Sequence, residues 1–352
     1  MENYEFCVLG YNQSSHDTFL WQKSISMFYV ANNIKLTHNN NSTIAWASLN
    51  YVTNTNLNDL KLELSKFKKI IISDLLHYDD TVNDNWLQIL TKLTEFNVVV
   101  LTNNRLLSDI VHTVPVVFYD LLFNRSKLYY FDKQRIDHYE SIRHTSNQVD
   151  VDSTLWLYSG NDLFYLNDIS KTINKHYVSP TATLYTPFRQ QFVNYMIERE
   201  TKGLVACPPK GKHLAGDKFT VEQWYCPLPS YVYSDSFASI YTETTWDSDN
   251  ILHVTEKTFE PLIHGNFILP YSNPGFVNNL KTHYGFKLCE LIDYTYDLPN
   301  INRSTLFLNS IDKFLEIQLT TLIEYANDRI DILAHNRELF VTLPYSELKD
   351  IF

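Results

Sequence analysis

Glycine is scarce in this sequence, with 8 residues in 352. That is too few for an architecture of repeated Gly-rich loops. No G-x-G-x-x-G, P-loop, G-x-S-x-G or H-E-x-x-H motif occurs, which removes the commonest dehydrogenase, kinase, hydrolase and metalloprotease readings. Cysteine is scarce too. Cys7, Cys207, Cys226 and Cys289 are widely scattered with no C-x-x-C spacing, and read as core thiols of a reducing compartment rather than a disulfide framework or a metal site. Lys and Arg form no run, and the formal net charge is −11. A broad phosphate-tracking surface is therefore disfavoured, while a local basic cleft that holds a few phosphates stays open. No apolar stretch approaches the roughly 20 residues of a membrane helix. The opening MENYEFCVLG lacks the basic and long apolar segments of a signal peptide. A cytoplasmic protein without a membrane partner is expected, its sequons accidental.

What is present is a well-packed chain, 44% hydrophobic and 14% aromatic, whose length suits two domains. Strand-like apolar runs alternate with stretches of helical spacing. Strands are expected at 5–11, 42–51, 68–76 and 97–103, with 114–123 closing the series; helices are expected at 17–33, 57–67 and 84–96. The alternation implies parallel strands with helices on both faces. The polar stretch 132–153 interrupts it, so the boundary is set between a first domain, 1–150, and a second, 151–335. The second series has expected strands at 154–160, 203–209 and 236–243 and helices at 188–200 and 274–285. A long helical pattern at 304–329 could run back over the first domain, and 336–352 reads as a tail packing on it. The fold class expected is α/β: two doubly wound Rossmann-like domains facing a cleft, with the ligand crevice at the carboxyl ends of the strands.

Residues 253–272, HVTEKTFEPLIHGNFILPYS, set a Glu-Lys pair directly after a helix-capping residue. Thr255 can cap a helix that starts at Glu256, so that free N–H groups and the positive end of the helix dipole face the crevice and favour an anion. Lys257 adds a full charge suited to a diphosphate. Glu256 can accept hydrogen bonds from a ribose hydroxyl pair. Gly265 stops the helix, and NFILPYS returns as a strand. Spacing alone also allows Glu256 and Lys257 to be ordinary solvated first-turn residues.

The wider segment SFASIYTETTWDSDNILHVTEKTFEPLIHGNFILPYSNPGF resembles the donor-binding motif of the α1,3-fucosyltransferase family. That motif runs from an apolar strand through Glu-Asn-Ser, a variable loop and Tyr-Val-Thr-Glu-Lys to a helix, a glycine and a strand. About 40 residues carry the resemblance. The segments VPVVFYDLLFNRSKLYYF (114–131) and LIDYTYD (291–297) are also similar to virus- and phage-encoded glycosyltransferase-like proteins. The resemblance implies a GT-B fold, a nucleoside-diphosphate sugar held by the second domain and an acceptor held mainly by the first. It implies Glu256 at the ribose, Lys257 at the phosphates, and Glu243 near the donor sugar or its diphosphate. An upstream arginine has a phosphate-clamping role in the family, and Arg189, at a helix start, suits that role or an ordinary surface one. Lys210, with Lys212, stands after a strand, where a loop could reach the nucleotide or simply be solvated. Thr244 and Thr245 replace the family's Asn and Ser, and His253 its Tyr, which leaves the donor sugar open.

Two D-x-D triplets occur, Asp150–Asp152 and Asp247–Asp249, of the kind that holds a metal on a diphosphate in GT-A transferases. With 40 acidic residues such triplets also arise by chance. An inverting transfer needs a proton acceptor on a loop of the first domain. His16 and Asp17 follow the first strand; Asp74 lies near the end of the 68–76 run, with His77, Asp79 and Asp80 beyond it. Each also suits a cap or a turn, and Arg125 suits the cleft or a surface helix. The expected function is a nucleotide-sugar-dependent glycosyltransferase, inverting and metal-independent, acting on a glycan or a hydroxylated base of phage DNA. The donor is a substrate, no cofactor is required, and the oligomeric state is open. Its rivals are a metal-dependent GT-A-type transferase using Asp247 and Asp249, and a non-catalytic nucleotide-sugar-binding protein.

Overall fold

Runs of β-branched residues with no polar alternation belong in parallel sheets covered on both faces, and two such sheets are found. The computed structural model describes residues 2–9, 34–74, 84–102, 104, 107–120, 123–124, 127, 172–180, 187–206, 230–243, 252 and 254–344. The chain divides into two units. One comprises Met1–Trp156, Ser248–His253 and Pro344–Phe352; the other comprises Leu157–Asp247 and Val254–Leu343.

In the first unit, β1 (Glu2–Val8), β2 (Ile34–His38), β3 (Ile44–Ser48), β4 (Lys69–Asp74), β5 (Val98–Thr102) and β6 (Val116–Phe118) form one sheet in the order β2-β1-β3-β4-β5-β6. Every pairing is parallel. Helices α1 (Leu49–Asn54), α2 (Leu57–Leu64), α3 (Asp84–Thr91) and α4 (Leu107–Ile110) connect the strands. Ala45, Ala47, Ile70, Ile72, Val98 and Val100 meet Val52, Leu60, Leu64 and Leu90 in the core. The expected strand at 42–51 stops at Ser48, because the Ser48 hydroxyl accepts the Tyr51 N–H at 3.0 Å and starts α1 instead. Strand β2, five residues with two polar and one basic side chain, was not expected. The helix expected at 17–33 and the strand expected at 154–160 lie outside the described residues.

The second unit holds β7 (Lys175–Pro180), β8 (Gly203–Ala206), β9 (Ser236–Thr242) and β10 (Phe267–Tyr271), in the order β10-β9-β7-β8 and again parallel throughout. Its helices are α5 (Pro187–Ile197), α6 (Ser230–Ser234), α7 (Glu256–Ile263), α8 (Phe276–Asn279), α9 (Arg303–Glu316), α10 (Leu319–Asp328) and α11 (Ile330–Thr342). Both sheets share one logic. The second strand lies on one side of the first and the third on the other, so the order reverses between β1 and β3, and between β7 and β9. Ligands of open α/β sheets bind outside the carboxyl ends of the strands at such a reversal.

The core of the second unit is aromatic. Phe237 meets Phe267 with ring centroids 4.9 Å apart, and Phe307 lies 5.0 Å from Tyr271 and 5.1 Å from Tyr296. Two sequence expectations are corrected here. The 304–329 pattern is not one helix over the first domain. It breaks at the extended residues Ile317 and Gln318 into α9 and α10, whose Phe307, Ile311, Phe314 and Leu322 pack onto the second sheet. His176 Nε2 lies 2.9 Å from the Ile317 carbonyl, and Lys202 donates to that of Leu315, occupying carbonyls that the end of α9 leaves open. Residues 336–342 are not the start of the expected 336–352 tail, whose stretch from Pro344 is grouped with the first unit. They complete α11, which packs on α7 through Phe340 and Phe259, rings 5.8 Å apart.

One close approach fixes β7 against β8. A Cβ on Gly203 would stand 2.4 Å from the ring of Tyr177, which is fully buried and donates its hydroxyl hydrogen to the Met196 carbonyl at 3.0 Å. The ring cannot move aside without losing that bond. Gly203→Ala should therefore lower stability by about 1–3 kcal/mol, the cost of overpacking a filled core. Urea unfolding measures it; a loss below about 0.5 kcal/mol, within the range of ordinary surface substitutions, would contradict the contact.

Candidate functional site

Strand β9 is buried at all seven positions, so its sequence SFASIYT is apolar or small throughout. The chain leaves the sheet at Glu243, and Val254 and Thr255 lead into α7. Thr255 has extended dihedrals (φ −108°, ψ 179°), and its hydroxyl accepts the Lys257 N–H at 3.3 Å. Its carbonyl accepts from Thr258 and Phe259 at 3.0 and 3.2 Å. The expected N-cap is therefore formed. At the other end Gly265 adopts φ +72°, donates to the Leu262 carbonyl at 3.2 Å, and is followed by Asn266 donating to Pro261 at 2.8 Å. This paired closure needs a residue free to enter the left-handed region, which is the role expected of Gly265. Pro261 has no N–H, so the Lys257 carbonyl receives no bond from that position.

Beneath the first turn lies Glu243, with no exposed surface. Its Oε1 accepts the Thr255 N–H at 3.1 Å and the Thr258 hydroxyl at 2.7 Å; its Oε2 accepts the Thr255 hydroxyl at 2.6 Å. Tyr241 donates in turn to Thr258 Oγ1 at 2.6 Å. Arg189, in the first turn of α5, donates through Nη2 to the Glu243 backbone carbonyl. Helix α5 follows β7, and Glu243 follows β9. The two strands that meet at the order reversal thus supply the arginine and the carboxylate.

Lys257 Nζ stands 3.4 Å from Glu256 Oε1 and 3.9 Å from Glu243 Oε2. Burial acts to lower the Lys257 pKa, but Glu256 and then Glu243 outweigh it, against an opposing push from Arg189, and the ammonium is held above its usual value. Lys257 is charged at neutral pH. Its side chain keeps 11% of its surface exposed and that of Glu256 keeps 37%, so these two present the open face of the turn.

Five of the six residues expected to hold the donor, Arg189, Glu243, Thr255, Glu256 and Lys257, come together. The sixth, Lys210, lies outside the described residues, as do His16 and Asp17. Asp74 closes β4, and its side chain is outside the described part. His77, Asp79, Asp80, Arg125, Asp150, Asp152, Lys212, Asp247, Asp249 and His253 are outside it as well. Glu243, expected near the donor sugar or its diphosphate, is fully buried and turns its carboxylate onto Thr255 and Thr258. Thr258 and Tyr241 were missed in the sequence. The signal for Thr258 was its spacing three residues after Thr255, which sets both hydroxyls on one side of a helical turn.

The segment 291–297 serves a structural purpose. Both oxygens of Asp297 cap α8, accepting from Val277 at 3.0 Å and Asn278 at 3.1 Å. Burial pushes its carboxyl above the usual range, opposed by those N–H groups and by Arg303. Arg303 donates to the carbonyls of Tyr296 and Ser272, the latter just past β10.

Among the described residues no group of three or more His, Cys, Asp or Glu is arranged to hold a metal ion. No helix among them is long and apolar enough to cross a membrane. No family model, curated protein or solved structure matches the chain.

Proposed function

We propose that the chain is a GT-B glycosyltransferase that moves a sugar from a nucleoside-diphosphate sugar to an acceptor hydroxyl, on a glycan or on a hydroxylated base of phage DNA. The donor is held by the second unit and the acceptor by the first. Transfer inverts the anomeric centre and needs no metal. The observation that carries this reading is the first turn of α7. A charged lysine stands at a capped helix N-terminus, on the chain that leaves β9 at the reversal of strand order, with Arg189 bonded to the same strand end. Support for the reaction itself comes from the resemblance of residues 236–276 to the fucosyltransferase donor motif.

In this reading the leaving diphosphate gathers negative charge as the glycosidic bond breaks. Lys257 and the N–H end of α7 stabilise that charge without rearranging. Glu256, partly exposed beside Lys257, takes the ribose hydroxyls. Asp17 is the proton acceptor, because it follows β1, one of the two strands at the reversal in the first sheet; His16 and Asp74 are the other candidates.

A thermal-shift panel of UDP, GDP, ADP, CMP and dTDP conjugates, run in EDTA, identifies the nucleotide. A ligand at about 100 times its Kd raises stability by roughly 2.7 kcal/mol. With that nucleotide, Lys257→Ala should weaken binding by about 1.5–3 kcal/mol, the scale of a charge-assisted hydrogen bond, and Glu256→Gln should weaken it less. Unchanged affinity in both variants, by calorimetry, contradicts the site; binding lost in EDTA contradicts metal independence. Asp17→Asn should bind donor as the parent does and transfer about 10²–10⁴-fold more slowly, the usual contribution of a general base. Transfer at the parental rate would remove Asp17 from that role.

A further inference from the structure

We infer that Glu243 is a positioning residue for this anion site, acting through Thr255 and Thr258 without touching the ligand; the inference rests on the reading of α7 given above. A carboxylate accepts hydrogen bonds, and the Thr255 N–H, the Thr255 hydroxyl and the Thr258 hydroxyl all donate to Glu243. Because the Thr255 hydroxyl hydrogen points at Glu243, the oxygen turns its lone pairs to the Lys257 N–H. The carboxylate thereby holds the hydroxyl in a rotor that caps the helix. Thr258 is fixed in the same way, accepting from Tyr241 and donating to Glu243.

The two threonines flank Glu256 and Lys257. Fastening both to one buried group at the end of β9 leaves the first turn no freedom to roll about the helix axis. Pro261 makes such fastening more important, since the helix loses one of its own bonds to Lys257. The Glu243 carboxylate also lies within ion-pair distance of the Lys257 ammonium, so it steadies the side chain as well as the backbone.

The probe is inorganic pyrophosphate, titrated calorimetrically into the full chain. Thr258→Val keeps shape and charge and removes only the hydroxyl, at a residue with no exposed surface. It should weaken pyrophosphate roughly 3- to 10-fold, as for one ordinary hydrogen bond, and Glu243→Gln about 10- to 100-fold, as for charged ones. The double variant should bind no more than about twofold more weakly than Glu243→Gln alone, because both changes cut one route. A purely structural role would lower the melting temperature and leave the Kd of the folded protein at the parental value, which overturns the inference. So does a double variant whose losses multiply. If Glu243→Gln does not fold, parental affinity in Thr258→Val overturns it alone. Lys257→Ala separates the two levels. If it weakens pyrophosphate while Thr258→Val and Glu243→Gln do not, only the positioning role fails; if Lys257→Ala binds as the parent does, the site reading fails with it.

Discussion

A carboxylate without any exposed surface costs several kcal/mol in lost hydration unless donors surround it. Glu243 meets that requirement with a backbone N–H and two threonine hydroxyls, and with Lys257 nearby. The consequence runs both ways. The donors are needed by the charge, so the segments that carry them cannot drift: the end of β9, the N-cap of α7 and its first turn form one unit. Whatever path the chain takes between Glu243 and Val254, its two ends are joined by this cluster. The start of α7 is thereby fixed to the end of β9 by a polar contact.

The rest of the second unit holds the other end of α7. Phe259 packs against Tyr284, which ends the helical turn Leu280–Tyr284 after α8, and against Phe340 of α11, at 5.7 and 5.8 Å between ring centroids. On the flank toward α6, Tyr233 stacks on His264 at 4.9 Å and donates to Glu260 at 3.2 Å. The left-handed Gly265 then turns the chain directly into β10. Large rings suit this work. They bury much area with few rotatable bonds, which gives rigid neighbours to a helix weakened by an internal proline.

Most strands were legible because buried parallel strands are written as unbroken apolar runs, as in KIIISD and VVVLT. Strands β2 and β7 were not: IKLTH sits at a sheet edge, and both it and KHYVSP carry polar residues that periodicity reads as loop. The break between α9 and α10 was hidden for a related reason: Ile317 and Gln318 are neither proline nor glycine, and only tertiary bonds from His176 and Lys202 mark the stop. At the site, the Thr255 cap and the Gly265 stop of α7 followed from capping chemistry and helix geometry. The true partners of Glu243 did not, since a glutamate after a strand looks the same in sequence whether it meets a ligand or a threonine. Burial decided that, and burial is a property of the fold.

The central claim is that a diphosphate binds at the first turn of α7, and backbone amide resonances of the isotope-labelled chain report on it directly. UDP, GDP, ADP and dTDP are titrated in turn against assigned Glu256 and Lys257 amides. At least one nucleotide should shift both, saturating at the Kd found by calorimetry, while the amides of β1 to β6 stay in place. Nucleotide binding that leaves Glu256 and Lys257 unmoved would contradict the account.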